Sequence, residues 1–221
     1  NPNHGHPVGG GSWWADGYRA FLKREHDRYA PMNIALTTEG TAECYMDVCD
    51  GQLVVTAATG EDVPFFPAVY SGYAIYFGTR QSARKAFDPT FALMAREFTW
   101  GVVNGWSDDW YPNRWGTEKR TAEAAVAFAR AREANRDLFV YGTLEGELRP
   151  VSPLEMRTHV WKGTWTKTAY TGDVAVVTGT WWKDRAGKSV LSAVNTTDDP
   201  QTVKFRVPHR KDVCVSRTFK P

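Results

Sequence analysis

The chain changes its pattern once along its length, and this change constrains the fold more than any other feature. Up to about residue 145, helical periodicities alternate with short apolar runs; beyond about residue 150, only strand-like runs remain, separated by Gly, Asp, Pro and Lys. A strand–helix alternation implies parallel strands joined by crossover helices. Short strands at tight spacing imply an antiparallel β-sandwich. The sequence therefore predicts α/β followed by all-β, with domains over 1–147 and 148–221.

In the first part, a helix is expected over residues 13–29, with Ser12 as its N-cap and Tyr18, Phe21 and Leu22 on one face. Met32 to Thr38 reads as a buried strand ending at Glu39, and Phe65 to Tyr70 as a second short strand. The best-marked helix has Asp88 as cap, Pro89 in its first turn, and Phe91, Met94, Ala95 and Phe98 as an inward stripe. Trp100 to Asn104 reads as a third strand, and Thr117 to Arg136 as a long Ala-rich helix. In the second part, strands are expected over Thr158–Trp161, Val174–Trp181, Val190–Val194 and Thr202–Val207. Trp181 and Trp182 are neighbours on a strand, so one ring is expected in the core and one outside.

Composition excludes several classes of function. A formal charge of +2 gives no polyanion-binding signature, which argues against nucleic acid as a partner. The apolar runs are only a few residues long, far short of a membrane span. Three cysteines, with Cys44 and Cys49 five apart and Cys214 distant, make neither a disulfide framework nor a metal motif. Ten Trp, nine Tyr and eleven Phe are unusual. Sugar rings stack on aromatic faces, so this density suits carbohydrate recognition as well as core packing.

Four features could carry chemistry. Thr37-Thr38-Glu39-Gly40-Thr41-Ala42-Glu43 places a carboxylate directly after a strand. There the strand fixes it and the loop partly desolvates it, as acid/base work requires; capping a turn or pairing with an Arg is the alternative. His4-Gly5-His6 could ligate a metal or hydrogen-bond sugar hydroxyls, but no third ligand can be identified and loop packing is the simpler account. Gly9-Gly10-Gly11 lacks both the GxxxxGK[ST] and the GxGxxG pattern, so no nucleotide cofactor is expected. Trp106, Trp110, Tyr111 and Trp115 lie among Asn104, Asp108, Asp109 and Asn113, with Trp106 the best stacking platform and Trp100 a core residue.

Several segments together carry a family resemblance. They are His4-Gly5-His6-Pro7-Val8-Gly9-Gly10-Gly11, the Thr37–Glu43 segment with Asp50-Gly51, Val63-Pro64-Phe65-Phe66-Pro67-Ala68-Val69-Tyr70, and Trp100-Gly101 with Gly105-Trp106, in that order. They resemble a large, mostly uncharacterised bacterial family of glycoside-hydrolase-like proteins, distantly similar to the retaining α-N-acetylgalactosaminidases.

The resemblance implies a (β/α)8 barrel followed by a sandwich, no cofactor, and a glycoside or oligosaccharide substrate. It implies Glu39 as acid/base and His4, His6, Glu43, Asp50, Tyr70 and Trp106 as substrate-binding residues. The Asp nucleophile would fall upstream of His4; Asp16 and Asp27 lie on the expected helix, and Asp47 and Asp50 follow Glu39 in the wrong order. A whole barrel takes about 250 residues by itself, so 221 residues hold only its C-terminal part and the sandwich. The N-terminal barrel half is then the implied partner. Family resemblance favours an extracytoplasmic location. A non-catalytic carbohydrate-binding protein on a degenerate barrel is the alternative, and a metal hydrolase using His4, His6 and Glu39 is a third reading.

Overall fold

The computed structural model describes residues 12–54, 63–78, 86–105, 119–162 and 168–206. Helix α1 (Trp13–Tyr29) is held by Leu22, which packs against Val48 and Cys49 beside Leu36 and Tyr45. Tyr18 and Phe21 do not share this burial; they are 38% and 44% exposed. Ser12 stands before the helix, but its hydroxyl donates to Asp16 Oδ2 at 2.6 Å and caps no main-chain N–H. Its φ of −81° and ψ of −6° are helical, whereas a capping side chain needs an extended backbone.

The expected strand after α1 shrinks to β1 (Thr37–Thr38). Ala30–Met32 forms a 3-10 turn closed by Asn33 at φ 56°, a left-handed conformation that Asn tolerates and that no strand contains. Met32 and Ile34 consequently stay exposed. Strand β2 (Gly51–Val54) follows. Phe65–Tyr70 is then a helix, α2, and not the expected strand. Pro67 lies in its first turn, where a missing N–H breaks no helical bond. Phe66 and Tyr70, four residues apart, both pack against the cluster of Tyr76, Leu93, Trp100 and Val102, Tyr76 belonging to strand β3 (Ile75–Gly78). That tertiary contact rewards period 3.6 over period 2.

Strands β1, β2 and β3 are parallel and adjacent in chain order, with Thr38 opposite Gln52 and Gln52 opposite Tyr76. Helix α3 (Phe87–Thr99) begins after Ala86, with Asp88 inside its first turn instead of capping it. Met94 and Ala95 are fully buried, as the stripe predicts, contributing about 1.5–3 kcal/mol for a side chain of methionine size. The expected strand at Trp100–Asn104 is a turn with one parallel bridge, Val103 to Phe77. Its position extends the parallel order by one place.

Helices α4 (Lys119–Ala134) and α5 (Arg136–Phe139) lead into the antiparallel part. Strand β4 (Thr143–Glu147) is followed by β5 (Arg149–Pro150), β6 (Met156–Lys162), β7 (Ala169–Ala175), β8 (Val177–Lys183), β9 (Ser189–Asn195) and β10 (Phe205–Arg206). They form a β4–β8–β9 sheet, a β6–β7 hairpin and a β5–β10 pair. The expected single run Val174–Trp181 is split at Val176, and Thr202–Val207 shortens to β10 within the described residues. The described residues thus combine helices, a parallel sheet and small antiparallel sheets; no closed barrel forms among them.

The two styles of structure meet on α3. The Thr99 carbonyl at its C-terminus accepts from Thr180 Oγ1 at 2.5 Å and from Trp182 Nε1 at 3.0 Å. Near its N-terminus, Trp161 Nε1 donates to the Pro89 carbonyl at 2.8 Å. Trp182 is buried among Leu138, Phe139 and Leu144. Trp181 is buried too, so the expectation of one outward ring fails: β8 is the central strand of its sheet and both its faces are covered at this point. Among the described residues no helix is long and apolar enough to cross a membrane.

Candidate functional site

In a parallel sheet the strands' carboxyl ends form one edge, where loops can converge on a ligand. Glu39 stands on that edge, directly after β1, with an exposed side chain. The chain then turns at Gly40, whose φ of 83° suits glycine. Thr38 Oγ1 donates to the Gly40 carbonyl at 3.2 Å and tightens the turn.

The loop returns to the sheet at Ala42. Gln52 of β2, fully buried, accepts from the Ala42 N–H at 3.0 Å and donates to the Ala42 carbonyl at 3.1 Å. Glu43 then opens a 3-10 turn over Glu43–Tyr45. Its Oε1 accepts the Tyr70 hydroxyl at 2.5 Å. This hydrogen bond, with smaller effects of burial and of the Glu43 charge, holds the Tyr70 phenol above its ordinary pKa. The structure therefore joins Glu43 and Tyr70, 27 residues apart, on the loop that begins at Glu39.

Asp50 belongs elsewhere. It precedes β2 and so lies at the amino end of the sheet, away from the edge that bears Glu39. Its Oδ2 accepts the Leu36 N–H at 2.7 Å and its own N–H donates to the Leu36 carbonyl at 2.8 Å. These bonds align β1 with β2; His26 Nε2 stands 3.6 Å from Oδ1. His4, His6 and Trp106, with Trp110, Tyr111, Trp115 and Cys214, lie outside the described residues.

Two groups that sequence reasoning passed over also belong to this region. Gln52 is one. The other is Glu97 of α3, 3% exposed, whose Oε2 accepts from Asn104 Nδ2 at 3.4 Å. A Cβ on Gly78, the last residue of β3, would stand 3.1 Å from Glu97 Oε1. Glu97 thus places a buried carboxylate beside the end of β3. A charged residue inside an apolar helical stripe was the available signal for it. Nothing in the local sequence distinguishes Gln52 from a polar residue on an exposed face.

No three His, Cys, Asp or Glu side chains converge as a metal site among the described residues. Cys44 is exposed and Cys49 is buried, both as free thiols. Burial, followed by the charges of Asp50 and Asp47, pushes the Cys49 thiol pKa up, which keeps it protonated and unreactive.

A family model described as "Domain of unknown function (DUF6259)" matches residues 1–81. A protein of Bacteroides thetaiotaomicron named "Putative glycoside hydrolase" is 30% identical over 218 residues, covering 96% of this chain and 31% of that protein. A Monosiga brevicollis protein named "Putative glycoside hydrolase 22789" is 35% identical over 111 residues, covering 47% of this chain and 9% of its own length. The chain thus spans less than a third of the length of these curated relatives. No solved structure matches it. What the comparisons give is similarity to proteins named as glycoside hydrolases, together with the matched domain.

Proposed function

We propose that this chain is the C-terminal portion of a glycoside hydrolase that cleaves α-linked sugars by a retaining, two-carboxylate mechanism. The observation that carries the reading is similarity over 96% of the chain to a protein named as a glycoside hydrolase, joined to a carboxylate at the carboxyl end of a parallel strand. Residues 1–147 form the last units of a (β/α)8 barrel in this reading, and residues 148–221 a β-sandwich domain. Parallel strands adjacent in chain order support the barrel, because a barrel winds its strands in sequence.

Glu39 acts as the acid/base. In the first step an Asp carboxylate, supplied by a barrel strand upstream of His4, attacks the anomeric carbon. Glu39 gives its proton to the departing glycosidic oxygen, leaving a covalent glycosyl-enzyme. In the second step water attacks that carbon, Glu39 takes the water's proton, and the Asp leaves as carboxylate. Such pairs stand about 5–5.5 Å apart, so the upstream strand must bring its Asp alongside β1. Glu43, Tyr70, His4, His6 and Trp106 bind the sugar in this scheme; Asp50 was proposed with them, and its position beside Leu36 supports a structural role instead.

The upstream half is the partner this surface lacks. Among the described residues β1 has one ladder neighbour, β2. Trp14 and Phe21 of α1, and Met32 and Ile34 in the segment leading to β1, are 67%, 44%, 62% and 51% exposed. In this reading further barrel units would pair with β1 and cover these large apolar side chains.

The test is hydrolysis of aryl α-glycosides by a chain extended upstream to the length of the Bacteroides relative, with Glu39→Gln as control. Turnover that Glu39→Gln abolishes on substrates with poor leaving groups supports the reading. Sugar binding without turnover by the extended chain would replace it with the carbohydrate-binding alternative.

A further inference from the structure

Ala42 directly precedes Glu43 in the Glu39–Glu43 loop, and its backbone is extended, with φ −153° and ψ 131°. An extended residue projects its N–H and C=O sideways, where a neighbouring strand would pair them. Among the described residues no strand pairs with it, because β1 ends at Thr38 and Gly40 turns the chain away. The Gln52 carboxamide substitutes for one. It presents an acceptor and a donor side by side, as a peptide group does, and engages both main-chain groups of Ala42. The backbone of the same Gln52 stands in register with Thr38. The residue that holds Ala42 through its side chain thus stands opposite Thr38 in the ladder, so the segment Glu39-Gly40-Thr41 is anchored at the strand before it and at the clasp after it.

We infer that Gln52 is the positioning residue for Glu39, fixing the loop so that the Glu39 carboxyl group stays at the strand end. This inference rests on the acid/base reading of Glu39. The clasp itself is a geometric fact that can be tested without turnover. The physical reason for expecting a functional effect is that an exposed acid on a glycine-hinged loop samples many positions, and a displacement of about 1 Å at a reacting group costs on the order of 100-fold in rate.

Two measurements test it. The first uses this chain: amide hydrogen exchange of the segment containing Ala42, in Gln52→Met and in wild type, with α3 as internal reference. Loss of the clasp is expected to accelerate exchange at Ala42 about tenfold or more while α3 is unchanged. If Gln52→Met does not fold, Gln52→Glu serves, since its ionised carboxylate keeps an acceptor for the Ala42 N–H but sets a second acceptor against the Ala42 carbonyl. Unchanged exchange at Ala42 overturns the inference. The second uses the upstream-extended chain with a nitrophenyl α-glycoside and an alkyl α-glycoside. The expected result is a kcat/KM loss of roughly tenfold or more on the alkyl substrate and a much smaller loss on the nitrophenyl one, since kcat/KM reports the step in which the leaving group takes the proton. Equal losses on both substrates would indicate a merely structural role and overturn the inference. If Ala42 exchange accelerates but the extended wild type hydrolyses neither substrate, the clasp stands and the acid/base reading of Glu39 fails.

Discussion

Trp182 lies so close to Gly101 that a Cβ on that glycine would stand 2.5 Å from the indole Cη2. The turn after α3 is moulded around this ring. Gly101 takes φ 76° to reverse the chain, and the Thr99 carbonyl two residues earlier accepts the indole N–H. The contact joins the parallel sheet to the antiparallel one, across more than 80 residues of chain.

Gly101→Ala is expected to be strongly destabilising. It combines a left-handed backbone that alanine resists with a clash against a ring that is 1% exposed. The two effects together amount to about 2–4 kcal/mol, measurable as a lowered urea midpoint at constant slope. A loss under about 0.5 kcal/mol would mean that the turn relaxes away from Trp182.

Arg132 should matter for the same turn. Its guanidinium donates to the Gly101 carbonyl at 2.5 Å and to the Phe139 carbonyl at 3.0 Å, tying α4 to both. Arg132→Met preserves the stem but leaves both carbonyls without this donor, at an expected cost of about 2–3 kcal/mol in chemical denaturation. Surface arginines such as Arg130, changed in the same way, are expected to stay within about 0.5 kcal/mol.

Stability should fall at alkaline pH through Tyr76. Burial, with a smaller effect of Tyr70, raises its phenol pKa well above the ordinary value. The native state therefore keeps a proton that the unfolded state gives up from about pH 10 upward. This stabilisation is fully present below that pH. It declines as pH rises toward the native pKa, by up to about 1.4 kcal/mol per pH unit. Tyr76→Phe removes the ionisable group, so its denaturation free energy should depend less steeply on pH above 10 than that of the wild type.

Glu39→Gln in an upstream-extended chain is expected to reduce turnover most for substrates with poor leaving groups. Those substrates need the proton that glutamine cannot supply, whereas nitrophenolate departs without it. Kinetics on a series of aryl α-glycosides of graded leaving-group pKa would show a steeper dependence in the variant. Equal losses in kcat/KM across the series would remove Glu39 from the acid role.

The 221-residue chain by itself is expected to show no glycosidase turnover and to bind apolar dyes through the surface near Trp14 and Phe21. Hydrolysis of an aryl α-glycoside by the purified chain, lost in Glu39→Gln, would contradict this. Trp14→Lys and Phe21→Lys together should reduce dye fluorescence if this surface is the exposed apolar patch.

Periodicity located α1, α3 and α4 and the strands around Trp161, Thr180 and Leu191, because their apolar spacing repeats over many residues. It failed on short segments. Phe65–Tyr70 has too few residues to separate period two from period 3.6, and it is helical because Phe66 and Tyr70, one turn apart, both pack against the cluster around Tyr76. Met32–Leu36 looked apolar enough for a buried strand, but the left-handed Asn33 interrupts it.

For the site, the sequence by itself determined that a carboxylate follows a short strand at Glu39 and that glycine lets the chain turn there. Both are local properties of consecutive residues. Only the tertiary structure decided which partners that loop meets. It set Tyr70 against Glu43, moved Asp50 to the opposite end of the sheet, and turned Gln52 into a clasp for Ala42. Each of these depends on strand register and on the burial of one polar side chain against another segment's backbone. Residues 10 to 27 positions apart carry no trace of such contacts in their own neighbourhoods.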